Sequence, residues 1–191
     1  MRFQQHWQVA HASATGKSHL ASNQECQDYT CFLLMPRLSP DALVAAVSDG
    51  LGSAPNSATG ARIAAQAACA QASHLLWQQR SKPVSPERFE STLYASLLHA
   101  RAALEFNAAK SQIPLSSLAT TLALLVHTEG VIAATQVGDG AAIISTQPNE
   151  YLALLKPQRG EYANETAALT SRRFIHQSQM AIVRPLSLIH I

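Results

Sequence analysis

The sequence predicts an α+β fold, with antiparallel sheets covered by a pair of adjacent helices. Three observations predict it. Short apolar runs of strand length gather toward the two ends of the chain. Two long helix-patterned segments follow one another directly between them. The later runs are joined by short junctions rich in Gly, Asp and Asn. Alternating strands and helices would indicate a parallel sheet, whereas clustered ones indicate α+β. With 191 residues, 47% of them hydrophobic, the chain suits one core and is short for two, so a single domain over 1–191 is expected.

Taken in order, Trp7 to Ala14 reads as a first strand and Gly16 to Gln27 as a polar loop. Asp28 to Met35 (DYTCFLLM) has the aromatic and apolar content of a strand, and Pro36 and Pro40 bracket a turn. Leu43 to Ser48 is a nearly unbroken apolar run, expected to be buried on both faces. A helix from Ser57 to Gln79 follows, with Ser57 as its cap and Ile63, Ala67, Ala70 and Leu75 or Leu76 as its apolar face. Ser85-Pro86 opens a second helix, a capping hydroxyl followed by proline at the first helical position. Its Phe89, Leu93, Leu97, Ala100, Leu104 and Ala108 recur every three or four residues until Ile113-Pro114 ends it. Strands then resume over Leu118–His127, Val131–Val137, Ala141–Thr146 and Tyr151–Leu155. Asp139-Gly140, between two of these apolar runs, predicts a hairpin.

Charge excludes some functions. The formal charge is +2, only 14% of residues are charged, and no Lys/Arg run occurs, so nucleic acid is not an expected partner. The N-terminal MRFQQHWQVAHA has no apolar h-region, and the longest apolar stretches are broken by His127 and Glu129, so neither a signal peptide nor a membrane span is expected. Cys26, Cys31 and Cys69 form no CxxC pair, which suits reduced thiols in a cytoplasmic protein. The eight histidines form no HExxH or similar zinc-binding spacing.

The four aspartates carry the chemistry. Asp41 follows Pro40 in a turn, while Asp28 opens an apolar strand, Asp49 closes one and Asp139 lies between two. Each alone is equally an ordinary turn or strand-edge residue. Gathered at one rim of a sheet, three carboxylates would repel one another, and a hard divalent cation such as Mg²⁺ or Mn²⁺ would relieve that repulsion. Gly50, Gly52 and Ser53 after Asp49 leave an open approach to such a site.

Five segments, in order along the chain, resemble the metal-dependent protein phosphatase 2C family, and within it the bacterial branch: GKSHLASNQECQD, VSDGLGSAPNSATGA, LATTLALLV, QVGDGAAII and GEYANETAALTS. The resemblance implies a four-layer αββα sandwich, two antiparallel sheets flanked by helix pairs. It also implies hydrolysis of phosphoserine or phosphothreonine in a phosphoprotein substrate, opposing a Ser/Thr kinase. The implied cofactors are two or three Mg²⁺ or Mn²⁺ ions that activate a water, so no protein nucleophile is needed. Asp49 resembles the carboxylate bridging two metals, with the Gly50 carbonyl as a further ligand. Asp28 resembles the acidic residue near the second metal, and Asp139 the aspartate of a looser, additional one. Ala119 to Leu122 resembles a core strand beside the site. His19, Asn23 and Arg62 are the candidates for gripping phosphate.

The resemblance has departures. Asn23 stands where many members have a phosphate-gripping Arg, Gln27 where a Glu is frequent, and Leu51 where many have His. No aspartate follows Asp139, although the family supplies two more metal-ligating ones downstream. A fold lacking its C-terminal part is therefore expected. Two readings remain at this point: a metal-dependent Ser/Thr phosphatase, and a pseudophosphatase or phosphoprotein-binding module without turnover.

Overall fold

The computed structural model describes residues 7–21, 25–36, 38, 42–128, 130–147, 149–158 and 166–184. Asp41, Asn23 and residues 160–165 of the GEYANET segment lie outside them. Among the described residues, five strands form one antiparallel sheet in the order β1-β2-β3-β4-β7: Asp28–Met35, Ala42–Asp49, Leu122–Thr128, Val131–Val137 and Ser178–Val183. A separate hairpin pairs β5 (Ala142–Gln147) with β6 (Glu150–Leu155). A short helix, α1 (Lys17–Ala21), precedes the sheet, and α2 (Ser57–Gln78) and α3 (Pro86–Ser111) are inserted between β2 and β3. The α+β class is as expected. A second long helix pair, the fourth expected layer, is not among the described residues.

One face of the sheet carries the core. Val44 and Ala46 of β2 and Leu122, Leu124 and Val126 of β3 are buried in one core with the long helices, α2 packing on β1, β2 and β3 and α3 on β4 and β7. From α3 come all six apolar positions that the spacing picks out, Phe89 to Ala108. Ser85 caps this helix as expected, accepting the Arg88 amide at 3.3 Å. On α2 the buried stripe is Ala61, Ala64, Ala65, Ala68, Cys69, Ala72 and Leu76, rotated from the expected one, and Ala70 is exposed. Alanines let a helix approach a sheet closely, so the smallest residues take the tightest contact and Ile63 sits at its margin. Leu97 is fully buried, and Leu97→Ala should cost about 2–5 kcal/mol in chemical denaturation.

The opposite face is more open. Val47 is 53% exposed, so β2 is not buried on both faces as its apolar run suggests. Trp7 to Ala14 forms no strand. It lies across this open face, where Trp7 and Val9 line a groove of about 380 Å³ with Leu43, Ala45 and Val47. His11 Nδ1 lies 2.8 Å from the Thr30 hydroxyl, and the Trp7 ring meets His127 edge-on at 4.7 Å. Burial holds the His127 ring below its ordinary pKa of 6.5. The unfolded chain therefore takes up a proton near pH 6.5 that the folded state refuses, and stability falls as pH drops below that value. Melting curves between pH 7.5 and 5.5 should show a shallower decline for His127→Gln.

The Gly138-Asp139-Gly140 junction is not the expected hairpin. Both edges of β4 are already occupied, by β3 and by the unanticipated β7, so β5 turns away and pairs with β6. Two hydrogen bonds tie that hairpin back: Gln136 Nε2 donates to the Lys156 carbonyl at 2.6 Å, and the Lys156 amide donates to Gln179 Oε1 at 3.3 Å.

Candidate functional site

The end of β2 is held by hydroxyl groups. Asp49 donates its amide to Thr121 Oγ1 at 3.0 Å. Its carbonyl accepts from the Thr121 amide at 2.8 Å and from the Thr120 hydroxyl at 2.9 Å. The buried Ser48 hydroxyl meets that of Thr120 at 2.7 Å. Residues 119–121 are thus a bracket between a 3₁₀ turn (Leu115–Leu118) and β3, bridged to Gly50, and not the start of an expected strand at Leu118. The Thr120 carbonyl accepts from the Leu169 amide at 2.8 Å, and Arg101 anchors that segment by donating to the carbonyls of Leu169 and Ser171. The backbone that carries the Asp49 carboxylate is thereby fixed without help from a ligand.

Asp28 stands directly opposite Asp49 in the β1–β2 ladder. The flanking bond runs from the Gly50 amide to the Gln27 carbonyl at 3.0 Å, which makes 28/49 a non-hydrogen-bonded pair. In such pairs the Cα atoms lie about 4.5 Å apart and the side chains share one face. Both residues are exposed. Asp49 also lines a cavity of about 250 Å³ together with Val47, Thr121, Ala123, Asp139 and Gly140. Asp139 arrives there because Gly138 lies against Thr121. With φ +118°, Gly138 adopts a backbone that other residues avoid, and a Cβ on it would come within 2.6 Å of Thr121 Cγ2. Asp28 thus faces Asp49 across the ladder, and Asp49 shares a cavity with Asp139 that Asp28 does not line, while Asp41 is outside the described residues.

Like charges directly opposite in a ladder are unfavourable, and the oxygen-only donors suit a hard divalent cation. Among the described residues no group of three or more His, Cys, Asp and Glu is close enough to hold an ion. The described residues offer two facing carboxylates, so an Mg²⁺ or Mn²⁺ held here would keep most of its waters. Gly50 is buried between two segments: a Cβ there would lie 2.8 Å from the Gln27 carbonyl oxygen and from Ser57.

The phosphate-gripping candidates are placed differently. Arg62 is exposed on α2 and lines neither this cavity nor the one at the start of that helix. Asn23 and the side chain of His19 lie outside what the structure describes. Leu51 packs against Ala54, Ala119 and Ala168, so the position that often holds a His in the family is an apolar contact. Sequence reasoning missed the hydroxyl bracket. Its trace is the pair of threonines in an otherwise apolar run, where adjacent residues must serve opposite faces.

No match was found among curated protein sequences. Several solved structures are similar. A bacterial serine phosphatase is 11% identical, with TM-score 0.61 over 87% of this chain and 70% of that one. The serine/threonine phosphatase Stp1 from Staphylococcus aureus is 11% identical, with TM-score 0.63 over 97% of this chain and 76% of that one. The catalytic domain of the serine threonine protein phosphatase PstP, solved with 2 manganese ions, is 13% identical, with TM-score 0.52 over 86% and 68%. At such identities these likenesses concern the fold, and this chain spans from 66% to 76% of the length of these structures and of a variant of the first. The profile of the protein phosphatase 2C family matches residues 15–191, nearly the whole sequence. The chain belongs to the protein phosphatase 2C family.

Proposed function

We propose that this chain is a metal-dependent phosphoprotein phosphatase that hydrolyses phosphoserine or phosphothreonine esters, opposing a Ser/Thr kinase in the cytoplasm. The observation that carries this reading is the pairing of Asp28 with Asp49 beside a cavity that Asp49 shares with Asp139, in a chain of this family. Asp28 and Asp49 would hold Mg²⁺ or Mn²⁺, with the Gly50 carbonyl as a further ligand, and Asp139 would serve an additional, looser ion. The two manganese ions of the PstP structure support two metals here. When bound, the cations supply Lewis acidity to the phosphoryl group and acidify the attacking water. The chain's own part is positional. The threonine bracket fixes Asp49, and Asp28 and Asp49 together set the negative charge that selects a divalent ion. Without the ions the same carboxylates would repel a phosphate ester. Three free thiols suit a reducing compartment, and no helix among the described residues is long and apolar enough to cross a membrane.

Leu51 favours a second reading. Its apolar packing puts no proton donor where a leaving alkoxide would need one, which fits a module that binds phosphoproteins without turnover. Hydrolysis of p-nitrophenyl phosphate and of a phosphoserine peptide by the purified protein separates the two. Turnover that requires Mn²⁺ and stops in EDTA is expected. Turnover no higher than that of Asp49→Asn would remove the phosphatase reading and leave the binding module.

A further inference from the structure

A second cavity, of about 460 Å³, opens at the start of α2 on the other side of Gly50. It is lined in part by Gln27, Gly52, Ser53, Pro55, Ser57 and Ala58. The first amides of a helix have no intrahelical partner and carry the positive end of its dipole. In α2, 22 residues long, the usual remedies are missing: Asn56 at the cap position makes no side-chain cap bond, and the first turn has no acidic residue. The Ser57 amide donates back to the Ala54 carbonyl at 3.2 Å, which leaves those of Ala58 and Thr59 at the open end. Ser57 was expected to be the cap, but it is the first helical residue. It is only 1% exposed, and its hydroxyl has no hydrogen-bond partner. Gln27 Oε1, lining the same cavity, also lacks one. Buried polar atoms are rarely left so, and two beside an uncapped helix end indicate a missing ligand.

We propose that this cavity binds a phosphate group, free or carried on a phosphorylated peptide, separately from the carboxylate site. The Ser57 hydroxyl and the first-turn amides donate to its oxygens, as helix ends do for phosphate. The proton that inorganic hydrogen phosphate keeps at neutral pH donates in turn to Gln27 Oε1, whereas a phosphoserine ester, with a second pKa of about 6, has mostly lost its own. That donor gives a reason to prefer hydrogen phosphate to sulfate, which has no proton to give at neutral pH. The exposed Glu25 at the rim weakens binding without blocking it.

The test is a titration of the isotope-labelled protein in EDTA, followed by amide NMR, with inorganic phosphate, a phosphoserine peptide and sulfate as probes. EDTA removes the cations, so failure here leaves the hydrolysis reading untouched. Saturable shifts at Ala58 and Thr59 are expected, with sulfate weaker than inorganic phosphate, and whichever phosphate probe binds more tightly names the source. Ser57→Ala should weaken binding about threefold or more, and Glu25→Gln should strengthen it. Asn56→Asp keeps the shape but sets a negative charge beside the same amides, which suits the helix dipole and repels phosphate. It should abolish binding while raising the melting temperature, which shows that the fold is intact. No saturable shift at Ala58 and Thr59 with either phosphate probe, or unchanged binding in a folded Asn56→Asp variant, would overturn the proposal.

Discussion

Asp49→Asn should lower Mn²⁺-dependent phosphatase activity by at least about 100-fold while leaving the melting temperature of the metal-free protein nearly unchanged. Altering a group that only supports a metal ligand already costs about 10- to 100-fold, so neutralising a ligand belongs at or beyond the upper end. The backbone bonds that hold this position survive the change. Thr121 and Thr120 bind the Asp49 amide and carbonyl, and Asn keeps both. Without metal the change also removes one of two like charges facing each other across the β1–β2 ladder. Activity assays paired with melting curves in EDTA check both halves. A large loss of stability in EDTA would mean that the carboxylate serves the fold and not a ligand.

Gly50→Ala should do the reverse, damaging fold and activity together. Its Cβ would lie 2.8 Å from the Gln27 carbonyl oxygen and equally close to the carbonyl carbon and Cβ of Ser57. None of these is the end of a flexible side chain, so the strand end or the helix start must move. Overpacking of this kind costs about 3 kcal/mol, which for a chain of this size lowers the melting temperature by about 6–12 °C. The Gly50 amide that donates to the Gln27 carbonyl shifts with it, and that bond sets the 28/49 pair. Thermal denaturation beside the p-nitrophenyl phosphate assay reads both effects. A variant with normal stability would show that the β2–α2 junction has room to spare.

The elements legible in the sequence were those whose pattern had one physical solution. The spacing from Phe89 to Ala108 admits only a helix buried along one face, and Ser85-Pro86 fixes its start. The strands expected over Leu118–His127 and Val131–Val137 pair antiparallel, and Gly130 between them has φ +71°. Where a pattern had two solutions, tertiary context chose. Gly138-Asp139-Gly140 suits a hairpin or any tight reversal, and the occupied edges of β4 decide for the reversal. Trp7 to Ala14 has the residues of a strand, but it covers the open sheet face with its apolar side chains. In α2, alanine is nearly neutral in any hydrophobic pattern, so only packing reveals which alanines face the sheet. At the site, a run of residues closing on Asp49 is visible in one dimension, but the ladder register that sets Asp28 against it is not. The phosphate-gripping role of Arg62 rests on its place in the sequence alone, and in the structure it stands exposed on α2 away from both cavities.

The most direct test of the paired-carboxylate site is Mn²⁺ binding itself, measured as the loss of the free-ion electron paramagnetic resonance signal on titration into the protein. The expected result is saturable binding that weakens at least about tenfold in Asp28→Asn and in Asp49→Asn, and less in Asp139→Asn. Equal Mn²⁺ affinity in the wild-type protein and the Asp28→Asn/Asp49→Asn double variant would contradict the account.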